Sequence, residues 1–335
     1  RLAKRSGVHR RLATMDQPVF ILGLDRRVWY ANAAAGREYG YSGEEIGAIT
    51  FVTHPALDAA YAGFVEELKA AGYVEGENLT IDSQNPQADQ GTLTSIVGTF
   101  ASSDYDAFYG IATPSAQALA AAITDRPIVF SAVTDPVAAE LVSSWDAPDG
   151  NVTGASDLNP MKEQLELIRE ALPEAKTVGI VYSSGEVNSE VQVAEAEKYA
   201  TDLGFEIKTA TITNTNEVQQ AAESLNVDAY LIPTDNAVVS AAESVIQVAE
   251  DKGTPVFASD ESTMERGAAA GLSVNYTQQG RDAAKILVKM LGGTKASEIP
   301  VETQKEFDLF VNEAGATAQG FTLPESIVSR ATKKF

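Results

Sequence analysis

Cysteine is absent from this chain of 335 residues, and histidine occurs only twice, as His9 and His54. Without a thiol there is no disulfide, no thiolate nucleophile and no cysteine-ligated zinc. With one histidine in the body of the chain, paired-histidine metal sites are excluded and a Ser-His-Asp relay would rest on His54 alone. G-x-G-x-x-G, P-loop and G-x-S-x-G motifs are also missing. Neither a cofactor nor a metal is expected, and the chain reads as a non-enzyme. No apolar run reaches the length needed to span a bilayer; the longest are strand-sized. Positive charge is scarce, with 25 Lys/Arg against 47 Asp/Glu and a net charge of −22. The imbalance is uneven, because residues 1 to 45 hold eight basic against five acidic side chains. An acidic body repels nucleic acid and anionic lipid, so neither is an expected partner.

What the chain does contain is an internal echo. Gly47-Ala-Ile-Thr-Phe-Val and a helical stretch ending at Gly72-Tyr73 return as Val178-Gly-Ile-Val-Tyr-Ser and a helix ending at Gly204-Phe205. Asp106-Ala-Phe-Tyr-Gly-Ile-Ala-Thr-Pro-Ser-Ala returns as Asp228-Ala-Tyr-Leu-Ile-Pro-Thr-Asp-Asn-Ala, and Arg126-Pro-Ile-Val-Phe as Thr254-Pro-Val-Phe. Each echo is a short apolar strand, a polar turn and an amphipathic helix, the pattern of βαβ units on a parallel sheet. Two Rossmann-like α/β lobes joined by a multi-strand hinge follow, with a cleft between them. The boundaries read as lobe one at 47–155 and 276–298, lobe two at 156–275 and 299–315, and a tail at 316–335.

In such sheets the turns beyond the carboxyl ends of the strands carry the ligand, and helix N-termini there offer free N–H groups. His54 ends the first strand of lobe one. Thr113-Pro-Ser115 places two hydroxyls beside the free amides of a helix start, a nest suited to a carboxylate. Ser131 to Thr134 adds a second donor turn, followed by Asp135. Across the cleft, Asp235, Asn236 and Asp260 supply acceptors. Asp235 also fits an ordinary N-cap, and Glu186 and Asn188 fit a helix start equally well. A donor nest facing acids describes a zwitterion, of which an α-amino acid is the simplest. Phe51, Tyr61, Tyr182, Tyr230 and Tyr276 are the aromatic candidates for reading its side chain.

His54-Pro-Ala-Leu-Asp58, Gly72-Tyr-Val-Glu-Gly76, Ile111-Ala-Thr-Pro-Ser-Ala-Gln117, Val129-Phe-Ser-Ala-Val-Thr-Asp-Pro136, Gly150-Asn-Val-Thr-Gly154, Pro233-Thr-Asp-Asn236 and Glu265-Arg-Gly267 occur in the order found in one family. From Gly47 to about Phe321 the chain resembles ABC-transporter substrate-binding proteins of the tryptophan/tyrosine type, with the type I periplasmic-binding-protein fold. The resemblance implies an extracytoplasmic, monomeric receptor that closes on a small solute and delivers it to a permease. It also implies that the turns of Thr113/Ser115 and Ala132/Thr134 hold a carboxylate and that Asp235 or Asp260 holds the ammonium. Residues 1–46 depart from it: no signal peptide or lipobox is present there, and Pro18 to Gly47 resembles the opening of a PAS domain, a short α+β fragment. The competing class is a ligand-sensing domain of a signalling protein built on the same two lobes.

Overall fold

The computed structural model describes residues 43–335, together with the backbone of two short strands, β1 (Phe20–Leu22) and β2 (Val28–Ala31), which pair antiparallel. The rest of the expected PAS-like fragment lies outside the described residues. Its expected end needs correction, because Glu44, Glu45 and Ile46 open β3 (Glu44–Thr50), where they pair with Leu79, Thr80 and Ile81 inside the first large sheet. Ile46, Ala48 and Ile49 are fully buried. A strand covered on both faces gains more from that apolar run than the preceding hairpin could offer it.

The first lobe continues with α1 (Pro55–Ala70), β4 (Leu79–Gln84), α2 (Gln90–Ala101), β5 (Ala107–Ile111), α3 (Thr113–Ala122), β6 (Ile128–Val133) and β7 (Val152–Ser156). Then come α4 (Met161–Ala171), β8 (Thr177–Ser183), α5 (Val187–Ala200), β9 (Glu206–Ile212), α6 (Val218–Ser224) and β10 (Ala229–Ile232). The second half goes on with α7 (Asn236–Ser240), α8 (Ala242–Lys252), β11 (Val256–Ala258), α9 (Glu261–Glu265), β12 (Ala270–Ser273) and α10 (Tyr276–Leu291). It closes with β13 (Glu302–Thr303), β14 (Asp308–Val311), α11 (Glu313–Ala318), α12 (Glu325–Val328) and β15 (Lys333–Lys334). α7 and α8 are separated by Ala241 alone.

Two sheets result. The first has the order β13-β7-β6-β5-β3-β4 and is parallel throughout; the second has the order β15-β14-β12-β11-β10-β8-β9, parallel except where β14 runs against β12. The echo in the sequence is an echo in topology. In each lobe the first strand (β3 or β8) takes the second (β4 or β9) on its outer side and the third (β5 or β10) on its inner side. That reversal of strand order opens a crevice beyond the carboxyl ends of β3 and β5, and another beyond β8 and β10.

Three segments cross between the sheets: residues 157–160, 274–275 and 304–307. Gln304 ties two of them together, accepting from the Asn275 N–H and donating to its carbonyl, both at 2.8 Å. The division expected after residue 298 shifts accordingly. Glu302 and Thr303 pair with Ala155 and Ser156 in the first sheet, and Lys333 and Lys334 pair with Phe310 and Val311 in the second, so the expected tail is sheet-bound.

The first lobe is closed by α10, which returns from the second to lie against α1. Leu57, Ala60, Phe64 and Leu68 form one buried face of α1, and Ala283, Ala284, Leu287 and Met290 one of α10. The approach is backbone to backbone. A Cβ at Gly280 would lie 1.8 Å from the Ala60 carbonyl oxygen, and one at Gly63 would lie 2.1 Å from that of Thr277.

Candidate functional site

The strand ends at the two switch points face each other across a narrow space of about 10 Å³ lined by His54, Leu57, Ala132, Asp157, Thr234, Asn236, Val239, Asp260 and Tyr276. The first four and Tyr276 come from the first lobe or its crossing; the others come from the second. A wider opening beside it is bordered by Phe51, Gln87 to Gly91, Ser183 to Glu186, Thr213 to Thr215 and Ala237.

His54 precedes Pro55 at the start of α1 and is buried, with no hydrogen-bond partner on Nδ1. Burial drives its pKa down to about 4, against the pull of the Asp260 charge and a hydrogen bond with Asn236, so the ring is neutral near pH 7. Thr113 and Ser115 stand at the first turn of α3, their hydroxyls buried and without partners in the protein. Neither borders the narrow space itself, but the strand they end lies next to β6, and the Ala112 N–H donates to the Ser131 carbonyl. Ala112 and Ala132 adopt φ of +77° and +53°, a left-handed conformation that costs a residue with a Cβ about 1 kcal/mol or more. Gln279 holds the second of these turns: its Oε1 accepts from the Ala132 N–H at 3.1 Å and its Nε2 donates to the Ser156 carbonyl at 2.8 Å.

Asp235 and Asp260 look alike in sequence and differ in space. Asp235 is the N-cap of α7: Oδ1 accepts from the Val238 N–H, and Oδ2 accepts from the Ser183 N–H at 2.6 Å and the Ser189 hydroxyl at 2.7 Å. Its carboxylate is committed to the second lobe, and it does not border the narrow space. Asp260 caps α9 through Oδ1 alone, accepting from Ser262 and the Thr263 N–H, and its buried Oδ2 has no partner in the protein.

Glu186 is likewise committed. Its carboxyl accepts from the Asn236 N–H and side chain, the Ala237 N–H and Asn188, closing the start of α7. Burial, followed by the charge of Asp235, pushes its pKa up to about 8. Asn188 also donates to the Thr234 carbonyl, leaving Oδ1 unpartnered. Asp135 is half-buried and caps its own turn through Val137 and Ala138. Thr134 donates to Asp157 Oδ1 at 3.1 Å and meets the Thr234 hydroxyl at 3.2 Å across the cleft.

Asp157 is the residue that sequence reasoning missed. It follows β7 on the first crossing, where the chain shows neither a helix start nor a strand end of the echoed kind. Its Oδ2 accepts from the Tyr276 hydroxyl at 2.9 Å, and burial raises its pKa to about 6. Of the aromatic candidates, Tyr276 borders the narrow space and Phe51 the wider opening. Tyr230 is spent inside the second lobe, donating to the Ala222 carbonyl, and Tyr61 and Tyr182 are half-buried outside both spaces.

Among the described residues, five buried polar atoms lack protein partners: those on His54 and Asp260 border the narrow space, and those on Thr113, Ser115 and Asn188 lie in the first turns of α3 and α5. Leaving such a group unsatisfied costs about 1 to 3 kcal/mol, so their clustering marks a place built for a polar solute. Among the described residues no group of His, Asp and Glu could hold a metal ion, and no helix is long and apolar enough to cross a membrane. Two lobes of one topology, a three-segment hinge and a polar cleft define a solute-binding receptor.

Comparison with known proteins gives the family. Residues 45–335 match the model described as ABC transporter substrate binding protein, and the chain belongs to that family. It is 40% identical over 272 residues to a protein named Tyrosine-binding protein from Clostridioides difficile, covering 81% of this chain and 79% of the relative. It overlays on an ABC domain from Streptococcus pneumonia in complex with L-Trp with a TM-score of 0.85 at 34% identity, covering 88% of this chain and all of the other. On the ligand-free, open structure of a substrate binding protein with adhesive properties from Clostridium difficile the TM-score is 0.66 at 40% identity, covering 87% and 99%. In the present structure the Thr134 and Thr234 hydroxyls meet across the cleft at 3.2 Å, so the cleft is shut. The chain is thus the substrate-binding component of an ABC transporter, not an enzyme, and works with a permease. No comparison supports the PAS-like segment; the family match begins at residue 45.

Proposed function

We propose that this receptor takes an α-amino acid with an aromatic side chain, acts outside the cytoplasm and works as a monomer. The observation that carries the ligand class is the pairing of free hydroxyls on one side with a free carboxylate oxygen on the other. The amino end of α3, with the Thr113 and Ser115 hydroxyls, receives the carboxylate, where a ten-residue helix also contributes its positive end. Asp260 Oδ2, which has no protein partner, receives the ammonium, with Asp157 and neutral His54 bordering the same space. Of the two acids that the resemblance offers for that role, Asp235 has both oxygens committed within the second lobe and Asp260 keeps one without a partner. The aromatic assignment draws on the relatives that bear the name of tyrosine or hold L-Trp. The location draws on the family, which is normally extracytoplasmic.

A thermal-shift screen of the full chain against the twenty amino acids and a panel of small sugars tests the reading, because a ligand that binds only the folded state raises the midpoint. A rise with L-tyrosine, L-tryptophan or L-phenylalanine is expected. A rise with sugars alone would overturn the zwitterion.

A further inference from the structure

Thr234 is gripped from both sides by one glutamine that touches no solute. Gln192, on α5, is buried and borders neither cleft space. Its Oε1 accepts from the Thr234 N–H at 3.1 Å, and its Nε2 donates to the Thr234 hydroxyl at 2.7 Å and to the Asn188 carbonyl at 3.0 Å. Two main-chain groups therefore fix which way the amide faces. At the far end, the proton of Thr134 goes to Asp157 Oδ1, whose other oxygen is held by Tyr276. The Thr134 oxygen is thus left as acceptor. The Thr234 hydroxyl already accepts from Gln192, so its own proton has one place to go: across the cleft to Thr134, 3.2 Å away.

We propose that Gln192 is a positioning residue for lobe closure, which orders the relay Gln192 to Thr234 to Thr134 to Asp157 and so makes the hydrogen bond between the lobes one-directional. The relay latches the closed form without contact between Gln192 and the solute, and it sets the rate of solute release. The closed lobes stand independently of any ligand assignment; only the choice of amino acids as probes rests on the proposed function.

The test exploits the absence of cysteine. Cysteines placed at exposed Ser95 and Gln219, one on each lobe, carry a fluorophore pair on the full chain. Distances between them are recorded without ligand and with L-tyrosine or L-tryptophan, together with association and dissociation rates. Gln192→Glu keeps the acceptor for the Thr234 N–H but cannot donate, so the Thr234 proton turns back and two lone pairs face each other across the cleft. Thr234→Val removes the hydroxyl, and Thr234→Ser restores it. Gln192→Glu and Thr234→Val are expected to shift distances outward and speed dissociation about tenfold, the scale of one net hydrogen bond. The unliganded melting midpoint of Thr234→Val should change little, Thr234→Ser should bring the distances and the dissociation rate back towards the parent, and the double variant should be no worse than Thr234→Val. Equal distances in the Val and Ser variants, or additive losses in the double variant, would overturn the latch. If neither amino acid binds the parent, the aromatic amino acid reading fails, while the ligand-free distances still decide this one.

Discussion

Gly280→Ala adds a single methyl group where two helices meet, and the structure sets its cost. The new Cβ would lie 1.8 Å from the Ala60 carbonyl oxygen and 2.9 Å from the Phe64 nitrogen, both backbone atoms of α1. Neither can rotate away, so α1 and α10 must part by about 1 Å or more, loosening the buried face that Leu57, Phe64, Leu287 and Met290 share. Overpacking of this kind costs about 1 to 3 kcal/mol and sometimes more, while replacing a helical glycine by alanine returns about 1 kcal/mol. The clash is with backbone, which puts the cost at the upper end of that range and leaves a net loss of about 1 to 2 kcal/mol. Gly98→Ala is the control. Gly98 also sits within a helix, α2, but its Cβ would meet nothing within 4 Å, so only the favourable propensity remains and stability should rise by about 0.5 to 1 kcal/mol. Scanning calorimetry of both full-length variants separates the two cases. Gly280→Ala should melt a few degrees lower and bind its solute more weakly, because the neighbouring Gln279 holds the Ala132 turn. A Gly280→Ala protein at least as stable as the parent would refute the reading of this helix crossing.

The two lobe-two aspartates should separate cleanly. Asp235→Ala leaves the Ser183 and Val238 N–H groups and Ser189 without their acceptor and is expected to cost about 3 kcal/mol of stability by denaturant titration. Asp260→Asn keeps the cap on α9 and is expected to weaken solute binding by about 2 to 5 kcal/mol, read by calorimetry, with little effect on melting. Thr113→Val and Ser115→Ala should each raise Kd without unfolding the protein; unchanged affinity in both would remove α3 from the site. Acid titration should distinguish His54 from Asp157. With its folded pKa at about 4, below the ordinary 6.5, His54 binds its proton only after unfolding, so stability is lost as pH falls from 6.5 towards 4, by about 3 kcal/mol. Asp157, raised to about 6, works in the opposite sense, adding stability as pH falls from 6 towards its ordinary 3.8. His54→Gln should therefore flatten the acid limb of the midpoint-against-pH curve and Asp157→Asn should steepen it; parallel curves would contradict both.

Much of this architecture could be read from the chain, because buried parallel strands are apolar runs and their turns are rich in Thr, Pro, Asp and Asn. The repeated order of strand, turn and helix carried the two lobes, and the strand ends carried most residues now found at the cleft. What stayed hidden depended on partners far away in sequence. An aspartate before a helix is an N-cap in either lobe; whether it keeps a free oxygen is decided for Asp235 by Ser183 and Ser189, some fifty residues earlier. Gln192 and Gln279 look like helix-surface residues until a neighbouring strand end turns each inward. Asp157 stands on a crossing that belongs to neither echoed unit, so the internal repeat could not point to it. Strands of two residues, such as those at Glu302 and Lys333, are too short to show a period.

The return of α10 to α1 also bears on how the chain becomes a protein. The apolar face of α1 is complete once Ala70 has been made, yet the helix that covers it begins only at Tyr276, more than two hundred residues later. Throughout that interval the first lobe has its strands in order but one side uncovered, while the uninterrupted segment between the crossings can assemble most of the second. Contacts so distant in sequence form slowly, and an exposed apolar helix face invites aggregation. The first lobe, though synthesised first, is then the last to finish, and the glycines at the crossing serve assembly as well as packing, since a smooth surface at Gly63 and Gly280 lets a late helix seat against one that has been waiting.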